Sequence, residues 1–229
     1  MIYKIRDLTK DLHFEAGDHY AFLANCIAIT LLFFTIQQYW KDSRKKQAWF
    51  IMLLSSSVLS VVGLIYAICA EFNELHWTDE YIYGDDVYSR NIMIFFLSCN
   101  VMDLTLGWVY YREFLYPLTT IFHHMFFITI SLLYLANHTT RGFLLIFVIE
   151  VPTFLLSVGT IWPSLRSDLA FGITFLLTRI SYHAYMLYRL ASMHFDGLAW
   201  KSCFMPFLLH MFWFYSWCNT YFFKKKKTK

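Results

Sequence analysis

An all-α integral membrane protein, about seven transmembrane helices in one bundle, is the fold class this chain predicts. Three observations carry that expectation. Of 229 residues, 58% are hydrophobic and only 15% charged, against roughly 25% charge in a soluble domain. The apolar residues come in runs rather than at amphipathic spacing, and each run is about twenty residues long, enough to cross ~30 Å of hydrocarbon. The runs also fill most of the chain, which leaves no room for a separate soluble domain.

The first segment, 1–19, is mixed in charge (Lys4, Arg6, Asp7, Lys10, Asp11, Glu15, Asp18), and no cleavable signal peptide is expected. Ile2, Ile5, Leu8 and Leu12 recur at helical spacing, which suggests a short helix on the membrane surface. Spans follow at 20–40, 48–70, 91–111, 118–136, 143–161, 169–190 and 203–223, giving a membrane domain over 20–223 and a basic tail over 224–229. Within the fifth span Pro152 removes one backbone donor, so a kink is expected just after Glu150. Cys26, Cys69, Cys99, Cys203 and Cys218 fall mostly inside spans as small hydrophobes. Cys69 and Cys203 belong to one membrane face, so a disulfide between them is open. No cysteine spacing suggests a zinc site.

Basic residues set the orientation. Lys41, Arg44, Lys45, Lys46, Arg112, Arg166 and the tail put eleven Lys and Arg on one side, against seven on the other. The positive-inside rule makes the richer side cytosolic, with the N-terminus luminal and the C-terminus cytosolic. The acid-rich stretch 71–90 then lies outside. Lys226 and Lys227 stand fourth and third from the end, the form of a dilysine retrieval signal read by cytosolic coat machinery. An electrostatic anchor on anionic lipid is the other reading of the same lysines. Asn137-His138-Thr139 forms a glycosylation sequon, but in a luminal loop too short for it to be used.

Four consecutive spans carry ionisable residues that hydrocarbon makes expensive: Asp103, the pair His123-His124, Glu150 and Arg179. Counted from the cytosolic ends at 1.5 Å per residue, all lie roughly 8 to 16 Å deep. Agreement in depth between separate spans predicts one shared polar site. Asp103 either pairs with Arg179 or His124 to fix helix register or orients an imidazole for chemistry. Asn100 and Cys99 extend its face. Adjacent histidines point ~100° apart, so one is expected to face the site while the other bonds a neighbouring helix. Thr120 and Thr129 are candidate partners for their nitrogens. The spacing is not that of a metal pair, and no metal is expected. Thr153 shares the Glu150 face, and His183 lies one turn beyond Arg179. Arg179 should pair with Glu150 or Asp103, or bind an anionic headgroup.

The order Asp103, His123-His124, Glu150 with Pro152-Thr153, then Arg179 resembles the TLC (TRAM–LAG–CLN) homology domain over about residues 45–223. The resemblance implies a multi-span protein of the endoplasmic-reticulum membrane that acts in lipid metabolism or homeostasis. Ceramide synthases of this family form an N-acyl bond from acyl-CoA using paired histidines and nearby aspartates. Their further aspartates in the span after the histidine pair are replaced here by Ile149-Glu150-Val151-Pro152-Thr153, so the chain is similar to the small TLC-domain branch instead. The implied roles are catalysis by His123, His124 and Asp103, and substrate binding by Glu150, Thr153, Arg179 and His183. Acyl-CoA is the implied co-substrate, with no bound cofactor. Membrane lipids are the expected partners, a homodimer is left open, and no nucleic-acid partner is expected. The alternative is a non-enzymatic lipid sensor, adaptor or cargo receptor whose polar residues lock the bundle.

Overall fold

In a bilayer the backbone finds no water, so each apolar run must satisfy its own peptide groups as a helix. The computed structural model describes residues 14–72, 77–194 and 197–224. All secondary structure among them is helical. The expected surface helix before residue 14, part of the acidic stretch, and the dilysine positions lie outside the described residues.

Seven helical segments overlie the seven runs: α1 (Ala16–Tyr39), α2 (Arg44–Phe72), α3 (Val87–Tyr110), α4 (117–136), α5 (Arg141–Ile161), α6 (168–194) and α7 (198–224). Of these, α1, α2, α3 and α5 are long and apolar enough to cross a membrane. The first helix begins at Ala16, ahead of the expected start at residue 20. Short polar caps set the ends. Asp86 accepts from the Ser89 backbone N–H at 2.8 Å to open α3, and Ser167 accepts from Ala170 N–H at 3.2 Å to open α6.

The links gather at two ends. At one, Arg44 of α2 reaches the Tyr110 carbonyl at 2.5 Å and Glu113 at 2.8 Å, and Trp40 meets Trp162 edge-on. This basic end collects the links 40–43, 111–116 and 162–167. The opposite, acidic end is clamped by Arg90. Its guanidinium holds both oxygens of Asp18 on α1 at 2.8 and 2.5 Å, and Asp85 at 2.7 Å. Thr140 donates to Asp85, Ser89 meets Thr140 at 2.7 Å, and Arg141 pairs with Asp86 at 2.7 Å. Asn137 donates its amide to the Leu133 carbonyl at 2.7 Å.

Between the ends, packing rather than a hydrophobic driving force joins the helices. Gly63 lets α2 touch the backbone of α5, where an added Cβ would come within 2.1 Å of the Val148 nitrogen. Phe96, Phe127, Phe143 and Phe147 interlock nearby with ring centroids 5.1 to 6.0 Å apart. The first helix is peripheral, with Leu23, Ile27 and Leu31 on its outer face exposed. All five cysteines are free thiols. Cys69 is exposed and Cys203 buried, so the disulfide left open from sequence does not form.

Candidate functional site

Three helices depart from α geometry where they carry the ionisable residues. The π-helical turn Pro117–Phe122 ends at His123, and a 3₁₀ stretch, Arg141–Glu150, ends at Glu150. A second π-helical turn, Phe175–Tyr182, contains Arg179. A ten-residue 3₁₀ run is far longer than the usual three or four. It returns to α geometry at Val151-Pro152, where proline's missing N–H relieves the change in hydrogen-bond register. Such departures recur at functional positions because they redirect side chains out of the regular stripe.

These helices, with α2, α3 and α7, enclose a cavity of about 420 Å³. Asp103, His123, His124, Glu150, Thr153 and Arg179 all line it, so six of the seven site residues expected from sequence meet there. Tyr111, Phe114, Leu115 and Tyr116 from the link 111–116 form its wall at the basic end. Ile51, Met52, Leu156, Phe171 and Phe175 make much of the remainder apolar. The volume falls within the ~300–1,000 Å³ of small-molecule sites, enough for a headgroup and the start of a chain.

His124 is fully engaged. Its Nδ1 lies 2.8 Å from the Thr120 carbonyl, and its Nε2 lies 3.0 Å from Asp103 Oδ2. A carbonyl can only accept, so Nδ1 carries a proton. A second proton must then lie between Nε2 and the carboxyl oxygen, whichever atom holds it. The pair is neutral in sum, ties α4 to α3, and leaves no lone pair on His124 for a substrate. His123 is its opposite. It packs against Phe127 at 4.8 Å, His124 at 5.5 Å and Trp213 at 5.8 Å, and has no hydrogen-bond partner among the described residues. His123 therefore presents the available imidazole nitrogen. Thr120 contributes its carbonyl, not its hydroxyl. Thr129 bonds the Met125 carbonyl and takes no part.

Arg179 is only 8% exposed, yet no carboxylate oxygen among the described residues lies within 4.0 Å of it. The expected pairing with Glu150 or Asp103 is thus not made. Nε donates to the Ile149 carbonyl at 2.8 Å and Nη2 to the Thr153 hydroxyl at 2.6 Å. Phe175 and Trp213 flank the guanidinium at 5.2 and 5.9 Å. Two of five N–H donors are used, so three remain without a protein acceptor among the described residues. Glu150, between the two groups that pin the arginine, has neither a hydrogen bond nor an ion pair among the described residues. The buried hydroxyl of Tyr111, on the cavity wall, also lacks a partner among them.

His183 does not join this site. It is fully buried, with Nε2 on the Cys203 carbonyl at 2.9 Å and Nδ1 facing His210 Nδ1 at 3.1 Å. The physical reason is its contacts with α7: the Cys203 carbonyl and the His210 ring engage both imidazole nitrogens and hold the ring away from the cavity. At the acidic end Glu15, Asp85 and His138 bring ligand atoms within 4.8 Å of one another. Arg90 already serves as the cation on Asp85 there. Comparison of the chain with family models, with curated proteins and with solved structures gives no match.

Proposed function

We propose that the chain is a seven-span lipid-handling protein of the endoplasmic-reticulum membrane, related to the TLC homology domain, with its basic end cytosolic. Its reaction is acyl transfer from acyl-CoA. The single observation that carries this reading is the division of labour in the histidine pair: His124 is saturated by Asp103 and Thr120, while His123 keeps a free imidazole in a cavity. A network whose task was only to lock the bundle would be closed and fully paired. The unpaired groups on His123, Glu150 and Arg179 favour chemistry over the adaptor reading.

His123 acts as general base, taking the proton from an acceptor hydroxyl or amine as that atom attacks the thioester carbonyl. The carbon–sulfur bond breaks, and the imidazolium returns its proton to the departing thiolate. Asp103 and His124 fix the start of α4 so that His123 faces the cavity. The cavity's place beside the basic end suits acyl-CoA, which is made on the cytosolic side and carries phosphates toward the cationic links. The test is a comparative lipidome of cells lacking the protein, rescued by wild type or by His123→Ala at matched protein levels. Wild type is expected to restore a defined lipid class that the variant leaves depleted. Equal rescue would overturn catalysis at His123.

A further inference from the structure

Burial in a low-dielectric interior is tolerated when charges are compensated nearby. In the cavity this condition is met only in part. The Asp103–His124 pair is neutral in sum, and a neutral His123 adds nothing. What remains is one cation, Arg179, and one carboxylate, Glu150, lining the same space without touching each other. Their separation is built in. The carbonyl of Ile149 and the hydroxyl of Thr153, on either side of Glu150 along α5, hold the guanidinium at 2.8 and 2.6 Å. The arginine is therefore docked against the helix that bears the acid, and the acid is left to face the cavity.

A purely anionic ligand would satisfy Arg179 but set a second negative charge beside Glu150. A purely cationic one would do the reverse. A ligand carrying both charges leaves the filled cavity neutral. Its anion would take the three free N–H donors, and its cation would meet the carboxylate. At membrane depth, in a cavity otherwise walled by Ile51, Met52, Leu156 and Phe171, the chemical class that brings both charges on an apolar chain is a zwitterionic phospholipid. We propose that the cavity selects a lipid headgroup bearing both a phosphate and an ammonium group, phosphate on Arg179 and ammonium on Glu150. This deepens the lipid-handling reading above and rests on it.

The test needs no turnover. Purified full-length protein in neutral detergent is titrated with lysophosphatidylethanolamine and with lysophosphatidylglycerol of the same acyl chain, and binding is followed by intrinsic tryptophan fluorescence. Wild type is expected to bind the zwitterion about tenfold or more tightly, the value of one charge-assisted hydrogen bond. Glu150→Gln should erase that preference by weakening the zwitterion and strengthening the anion. Arg179→Gln should weaken both. Equal wild-type affinity for the two lysolipids would overturn the proposal, and that comparison needs no variant to fold. So would a preference that survives in Glu150→Gln. Inorganic phosphate at millimolar concentration should not displace the lysolipid; displacement would identify free phosphate as the ligand and overturn the lipid assignment. Because acyl-CoA is absent, failure here leaves acyl transfer at His123 standing, and failure of the lipidome rescue leaves the headgroup preference standing.

Discussion

Two arginines, Arg90 and Arg179, each less than a tenth exposed, belong to different polar clusters of the bundle and are used in opposite ways. Arg90 gives its guanidinium to Asp18 and Asp85, with His138, Thr140 and Ser89 closing the surrounding network. Arg179 meets no carboxylate among the described residues; a carbonyl and a hydroxyl aim it while most of its donors stay free. The first cluster has its charges paired within the protein, and the second leaves three guanidinium donors without a protein acceptor among the described residues. Burial of a charge is thus no guide to its task, whereas its unused hydrogen-bonding capacity is.

That contrast can be broken in several ways. The largest effect on folding is expected from Arg90→Ala, which takes the cation from buried Asp18 and half-buried Asp85 and should cost about 3–5 kcal/mol, read as a lowered thermal midpoint of the purified protein. If its midpoint matches wild type, the clamp is not structural. His123→Ala should do the reverse, cutting acyl transfer about 10²- to 10⁴-fold while shifting the midpoint little. A large stability loss in that variant would move His123 to the structural side of the comparison. Gly63→Ala tests the scaffold that holds the two clusters apart. With an added Cβ 2.1 Å from a backbone nitrogen, α2 must back away from α5, at about 1–3 kcal/mol.

The smallest effect concerns Asp86, just outside the membrane at the start of α3. Burial alone would raise its carboxyl, but the Ser89 backbone N–H and the Arg141 guanidinium outweigh burial and hold it below the usual carboxylate range. A depressed folded-state value stabilises above the unfolded value of about 4, and the contribution is lost as pH falls through the folded value. Asp86→Ala should therefore cost about 1 kcal/mol near neutrality, with the gap to wild type closing in acid. A gap that persists at pH 2 to 3 would place the effect elsewhere than in the charge.

Much of this was legible in the sequence. Run length marked where helical segments lie, and four of them are long and apolar enough to cross a membrane, because hydrocarbon thickness dictates length directly. The shared depth of Asp103, His123, His124, Glu150 and Arg179 marked the cavity, because position along a helix converts to distance. What the sequence hid was partner choice. Arg90 reads as one more loop cation, and only the fold brings Asp18 from α1 against it. His183 reads as an extension of the Arg179 face, but the Cys203 carbonyl and His210 on α7 take both its ring nitrogens. Thr120 acts through its backbone, which no side-chain pattern reveals. Trp213, three helices further along the chain than the histidines, carries no signal that would single it out from the other aromatics of the chain.

The most direct measurement is release of free CoA from radiolabelled acyl-CoA by the full-length protein reconstituted in zwitterionic lipid vesicles, for wild type and His123→Ala side by side. Release with transfer of the label to a lipid by wild type alone, at equal folded protein, is the result expected. Equal release from both, or none from wild type, would contradict the assignment of the free imidazole as the catalytic group.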